Sequence, residues 1–157
     1  MTDPGLVDWP SSEPQYRRSE ISAVVGHGED VWARAAQRVL SWGVKTASGF
    51  AVDPASAVSV GDRPTITVKL GWLSVREPVE VTAVVNRADR VGFAYRTLPG
   101  HPVSGEEAFI LHRDNGDVVL TVRSLTRAAA EQPWRALFPL LRIAQLIVRR
   151  RYLRALR

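Results

Sequence analysis

Between residues 44 and 127 apolar side chains recur at every second position, in runs too closely spaced to leave room for a crossover helix. A parallel neighbour needs a connection of about a dozen residues or more, so this stretch predicts a largely antiparallel sheet. "TITVKL" (65–70) sets Ile66, Val68 and Leu70 against Thr65, Thr67 and Lys69, and "VEVTAVV" (79–85) alternates in the same way. "VGFAYRTL", "EEAFILH" and "VVLTVRSLT" follow, the last two separated by "DNGD". Asn-Gly between two β-rich runs is a strong local hairpin signal. "ISAVVG" (21–26) predicts a strand ahead of this stretch, and "GFAV" with "AVSV" one more near 49–60.

Two segments carry the helical period instead. In residues 29–42, Val31, Ala35, Val39 and Trp42 share one face with Trp32, Ala36 and Leu40 beside them. Gly28 precedes this helix, Glu29 and Asp30 suit its positive end, and Gly43 marks its stop. The last helix is expected from about Pro133 to the end. Trp134, Leu137, Leu141, Ala144, Val148, Tyr152 and Ala155 form its apolar stripe, with Phe138 at the edge. Arg135, Arg142, Arg149 and Arg157 line its other side, and Pro139 is expected to kink it or mark its regular start. The predicted class is α+β: a curved antiparallel sheet of about six or seven strands crossed by a long C-terminal helix, with room for a cavity between them.

The 157 residues suit one domain. Residues 1–19, rich in Pro, Ser and charge, read as a flexible arm, and residues 20–157 as the domain. There is no cysteine, which excludes disulfides, thiolate metal sites and a thiol nucleophile. No run is apolar over the roughly 20 residues of a membrane span, and the acidic, Pro-containing start is unlike a signal peptide. A cytoplasmic location is therefore expected.

The net charge of +5 is concentrated in "RRRYLRALR", where Arg149, Arg150, Arg151, Arg154 and Arg157 occur without an acid. This tail has three readings: a solvated helix end suited to the dipole, a contact with anionic lipid, or a phosphate-binding patch. One short cluster makes nucleic acid the weakest partner.

The segment "GFAYRTLPGHPVSGEEAF" (92–109) closely resembles the signature of the family called domain of unknown function 1990. "GEDVW", the "GW" at 71–72 and the arginine-rich last helix extend the resemblance from about residue 20 to 157. It implies membership of the helix-grip superfamily, with START lipid-transfer domains and the major birch-pollen allergen. The implied fold is a curved sheet gripping the last helix around a hydrophobic cavity, with two short helices after the first strand. Only residues 29–42 show one of these clearly. The resemblance implies no activity.

The expected ligand is a hydrophobic small molecule or lipid, without a cofactor. Trp72, Phe93, Phe109, Trp134 and Phe138 would supply apolar walls, and Tyr95, Arg96, His101, Glu106 and Glu107 would orient a polar head. One alternative is a cyclase- or hydrolase-type enzyme with Glu106 or His101 as general base, and another is a peripheral membrane or partner-binding protein that uses the arginine-rich last helix. A hairpin pairing Leu98 with Gly105 would oppose Arg96 to Glu107, and a one-residue slip would oppose it to Glu106. His27, His101 and His112 lack the spacing of a zinc motif. "VVGHGEDVW" lacks the third glycine of a phosphate loop, there is no Gly-x-Ser-x-Gly elbow, and Ser104 in "HPVSG" has no triad context.

Overall fold

A computed structural model describes residues 1–10, 13–70, 72–129 and 134–157. The strands are β1 (Arg17–His27), β2 (Phe50–Asp53), β3 (Thr65–Leu70), β4 (Leu73–Asn86), β5 (Arg90–Thr97), β6 (Val103–Asp114) and β7 (Asp117–Ala128). The helices are α1 (Glu29–Val39), α2 (Gly43–Ala47) and α3 (Trp134–Tyr152). All seven strands form one antiparallel sheet in the order β1-β7-β6-β5-β4-β3-β2. The first strand thus closes against the last, and the helices cover the concave face.

Alternation decides that face. Phe93 and Tyr95 of β5, Phe109 and Leu111 of β6, and Leu120 and Val122 of β7 all turn inward and are buried. They meet Trp32, Ala35 and Val39 of α1, then Trp42, Val44 and Tyr152. Trp42 packs edge-on against Phe93 at 4.7 Å, and Phe109 against Tyr152 at 5.0 Å. Burying each such side chain contributes roughly 1.5–3 kcal/mol, so this layer is the main source of stability. Asn115 and Gly116 both adopt positive φ, 49° and 91°, and make the tight turn between β6 and β7.

Four sequence expectations change. The first strand starts at Arg17, within the stretch expected to be a flexible arm. Residues 2–7 also lie against the convex face, where the Arg123 guanidinium donates to the carbonyls of Asp3, Leu6 and Val7 at 2.7–3.0 Å. Arg90 donates to Pro4 and Leu6 at 2.7 and 2.6 Å, and Trp9 is buried. These two arginines satisfy carbonyls that have no ladder partner, so a segment without regular structure can stay packed.

The second change is α2, five residues long and introduced by Trp42 at φ 61°. It is too short to show a period, although the resemblance implies it. The third concerns α3, which spans 19 residues through Pro139 and stops at Tyr152, short of the chain end. Beyond it, Arg38 donates to the Ala155 carbonyl at 2.8 Å. The fourth is register: Arg96 opposes Glu106 and Tyr95 opposes Glu107, one residue slipped from the Leu98–Gly105 pairing.

Candidate functional site

A cavity of about 150 Å³ lies between the concave face and α3. Val68 and Val75 of the β3–β4 hairpin wall one side, and Leu141, Ala144 and Val148 of α3 wall the other. The polar groups gather at one place because of strand alternation. Tyr95, Glu107 and Ser124 are neighbours across β5, β6 and β7, all pointing inward. Above them α2 supplies Lys45, and the last turn of α3 supplies Arg149 and Tyr152.

Lys45 is the centre of this cluster and only 4% exposed. Its ammonium donates to Tyr152 OH at 2.6 Å and lies 3.1 Å from Glu107 Oε2. Tyr95 OH donates to the same carboxylate oxygen. Phe50, Tyr95, Phe109 and Tyr152 surround the ammonium with ring centroids at 4.7–5.8 Å. A charge taken out of water needs such company: a carboxylate, a hydroxyl and aromatic faces together offset its desolvation.

Burial, then the Glu107 charge, pushes both the Tyr95 and Tyr152 hydroxyls well above the ordinary phenol value of 10. Both therefore remain hydrogen-bond donors at physiological pH. Because Tyr152 accepts from Lys45, its own hydrogen is left for another acceptor. Arg149 donates to Ser124 Oγ at 2.7 Å, and burial draws its guanidinium below the usual value. It stays charged all the same, since an arginine does not lose its proton in a protein.

At the hairpin end, His101 Nδ1 accepts the Val103 amide at 3.1 Å. Burial, reinforced by the Lys45 charge, pushes the His101 imidazole down to about 3. The ring is therefore neutral at pH 7, with its hydrogen on Nε2. Its 3.9 Å separation from Glu77 Oε2 is accordingly neither an ion pair nor a hydrogen bond. Burial raises the Glu77 carboxyl above the ordinary value of 4.5, and Lys45 only partly opposes this.

The structure gathers Tyr95, His101 and Glu107 at the cavity and disperses the other sequence candidates. Glu106 borders the cavity, but its carboxylate accepts the Thr2 amide at 2.6 Å and the Thr2 hydroxyl. Arg96 is exposed and donates to Glu80 at 2.6 and 2.9 Å, not to either hairpin glutamate. Phe93 and Phe109 are core beneath the cavity rather than its wall. Trp72, at the β3–β4 turn, is 96% exposed and stands away from the cavity. The side chains of Trp134 and Phe138 lie outside the described residues. Of the five tail arginines, Arg149 turns inward and the other four are exposed.

Sequence reasoning missed Lys45 and Glu77, and placed Tyr152 only in the apolar stripe of the last helix. Lys45 is one of only two lysines in a chain with nineteen arginines, set in the apolar run "WGVKTA". That rarity was an available signal. Glu77, between Arg76 and Pro78, has nothing to set it apart from an exposed strand residue. The other two histidines lie elsewhere: His27 pairs with Asp117 at 2.6 Å and His112 with Thr121 at 3.1 Å.

Comparison with known proteins agrees with this architecture. The family model described as Domain of unknown function (DUF1990) matches residues 4–155, and the chain belongs to that family. A UPF0548 protein of Arabidopsis thaliana is 32% identical over 115 residues, which is 68% of this chain and 55% of that protein. A UPF0548 protein of Deinococcus radiodurans is 50% identical over 50 residues, 31% of this chain and 25% of that protein. The chain thus matches between a quarter and about half of the length of these relatives. Among solved structures, hypothetical protein jhp0584 from Helicobacter pylori superposes with a TM-score of 0.65 at 14% identity, covering 99% of this chain and 96% of that one. The protein Ara h 8.0201 gives 0.57 at 10% identity, covering 90% and 98%. A Thalictrum norcoclaurine synthase gives 0.54 at 12% identity, covering 92% and 96%. At these identities the likeness is one of fold: a sheet of the major-birch-pollen-allergen type with a C-terminal helix.

Proposed function

We propose that this member of the domain of unknown function 1990 family binds a small, partly apolar molecule between its sheet and α3. The observation that carries this reading is the Lys45–Glu107–Tyr95–Tyr152 cluster, enclosed at one end of an otherwise largely apolar cavity. An apolar chamber with a few convergent polar groups is the ordinary design of a small-molecule site. Burial against Phe50, Val68, Val75 and Leu141 would supply affinity. The Tyr152 hydroxyl hydrogen and the Lys45 ammonium would orient a carbonyl, hydroxyl or similar head.

Size narrows the ligand. A cavity near 150 Å³ is the scale that holds one benzene-like ring, and drug-sized molecules need roughly 300 Å³ or more. A single-ring or short-chain compound with one polar end therefore fits better than a whole lipid or polyketide. Titrating isotope-labelled protein with benzyl alcohol, indole and benzaldehyde tests this by NMR. Shifts confined to cavity residues such as Val68, Val75 and Tyr95 are expected. Shifts scattered over the surface, or none, would overturn the reading.

Acid–base catalysis is a second reading with its own support: a neutral imidazole and a raised carboxyl both face the cavity at His101 and Glu77. Glu107 would be the carboxylate at the ligand's polar end in place of Glu106. Under this reading His101→Asn retains ligand binding and loses turnover of any substrate found. Equal turnover by the variant would remove it.

A further inference from the structure

We infer that the outward face of α3 is a docking surface for an anionic lipid bilayer. The inward side of the helix, Leu141, Gln145, Val148 and Tyr152, belongs to the cavity wall. The opposite side keeps three aliphatic side chains in water: Ile143, Leu146 and Ile147, at 58%, 54% and 53% exposure. Their spacing of three and four residues sets them on one face, Arg150 continues it, and the exposed Arg151 and Arg154 flank it at and just beyond the helix end. The 19 residues of α3 contain no acidic side chain.

An aliphatic band followed by a cationic one is the pattern of a helix that lies in the lipid interface. The aliphatic residues enter the boundary between headgroups and chains while the guanidinium groups meet lipid phosphates. No described helix is long and apolar enough to cross a bilayer, so the contact is peripheral. Charge also selects this occupant over a second copy. A parallel two-fold contact through the same face would bring the arginine clusters of both copies together, and an antiparallel one would leave both clusters without an acid from the facing helix. A nucleic acid would satisfy the arginines but leave the aliphatic band exposed.

Because the same helix walls the cavity, docking would place the cavity beside the membrane. The surface does not depend on what the cavity holds. Sedimentation with phosphatidylcholine vesicles, with and without phosphatidylserine, tests the inference. The protein is expected to sediment with the mixed vesicles and to be released by high salt. The Arg150→Glu/Arg151→Glu/Arg154→Glu variant should bind at least about tenfold more weakly. Leu146→Asp/Ile147→Asp should lose binding as well. Both variants alter exposed positions, and unchanged circular dichroism and an unchanged urea midpoint would show the fold intact. Equal sedimentation with both vesicle types, none with either, or full binding by the charge-reversed variant would overturn the inference. So would a concentration-dependent dimer that Leu146→Asp dissolves, since that would give the face to a second copy.

Discussion

Lys45 Nζ lies 3.1 Å from Glu107 Oε2, joining the shortest helix of the protein to the centre of its sheet inside a ring of four aromatic side chains. The pair is 62 positions apart in sequence and nearly closed to water. Two consequences follow from its geometry. The charges hold α2, β6 and, through Tyr152, α3 in one arrangement. They also leave hydrogen-bonding capacity pointing into an apolar chamber.

Removing one member of a buried pair strands the other. Lys45→Met is expected to destabilise the protein by about 3–5 kcal/mol in urea unfolding. Adding Glu107→Leu should restore most of this loss, because the orphaned carboxylate goes too. Recovery will fall short by about 1 kcal/mol for each phenol left without its partner. Independent, additive losses would show that the two residues do not interact.

The two adjacent glutamates should separate cleanly. Glu106→Gln weakens the anchoring of Thr2 on the convex face and is expected to speed hydrogen exchange in residues 2–9, with ligand binding unchanged. Glu107→Gln should leave that segment protected and weaken ligand binding. If exchange responds the other way round, the register of the β5–β6 hairpin is wrong.

His101 and Glu77 pull stability in opposite directions with pH. The folded imidazole is depressed from 6.5 to about 3, so above pH 6.5 neither the folded nor the unfolded state carries the proton and its full contribution is present. As pH falls from 6.5 toward 3 the unfolded chain alone binds that proton, and stability drops by up to about 1.4 kcal/mol per pH unit. His101→Gln is expected to flatten this acid limb in urea unfolding between pH 4 and 6.

The Glu77 carboxyl is raised above 4.5, so its contribution is present below that value and is lost as pH rises through its folded value. Glu77→Gln should therefore stabilise the protein most at alkaline pH. A variant that is destabilised at every pH would show that Glu77 is held as a needed carboxylate.

Most of the fold was legible because it rests on short-range rules. Period-two runs marked β3 to β7, Asn115-Gly116 marked the β6–β7 turn, and the spacing of Val31, Ala35 and Val39 marked α1. The class also followed, since no connection had room for a crossover. What stayed hidden depends on contacts between distant residues. The convex-face role of residues 2–7 needs Arg90 and Arg123, which look like ordinary strand arginines until the sheet is built. α2 has too few residues to show a period, so Lys45 could not be placed on a buried face. Parity at Glu106 and Glu107 turned on one residue of hairpin register, which two adjacent glutamates leave open. Trp72 reads as a wall in the sequence because aromatics are usually buried, yet it falls at the tip of a hairpin and is 96% exposed.

If the polar cluster grips a ligand and is more than a brace for α2 and α3, its removal must cost a polar ligand more than an apolar one of the same size. Isothermal titration of the Lys45→Met/Glu107→Leu protein with benzyl alcohol and with benzene tests it most directly. Benzene is expected to bind the double variant about as well as the parent, while benzyl alcohol loses at least about tenfold, the scale of one charge-assisted hydrogen bond. Equal affinity of benzyl alcohol for both proteins would contradict it.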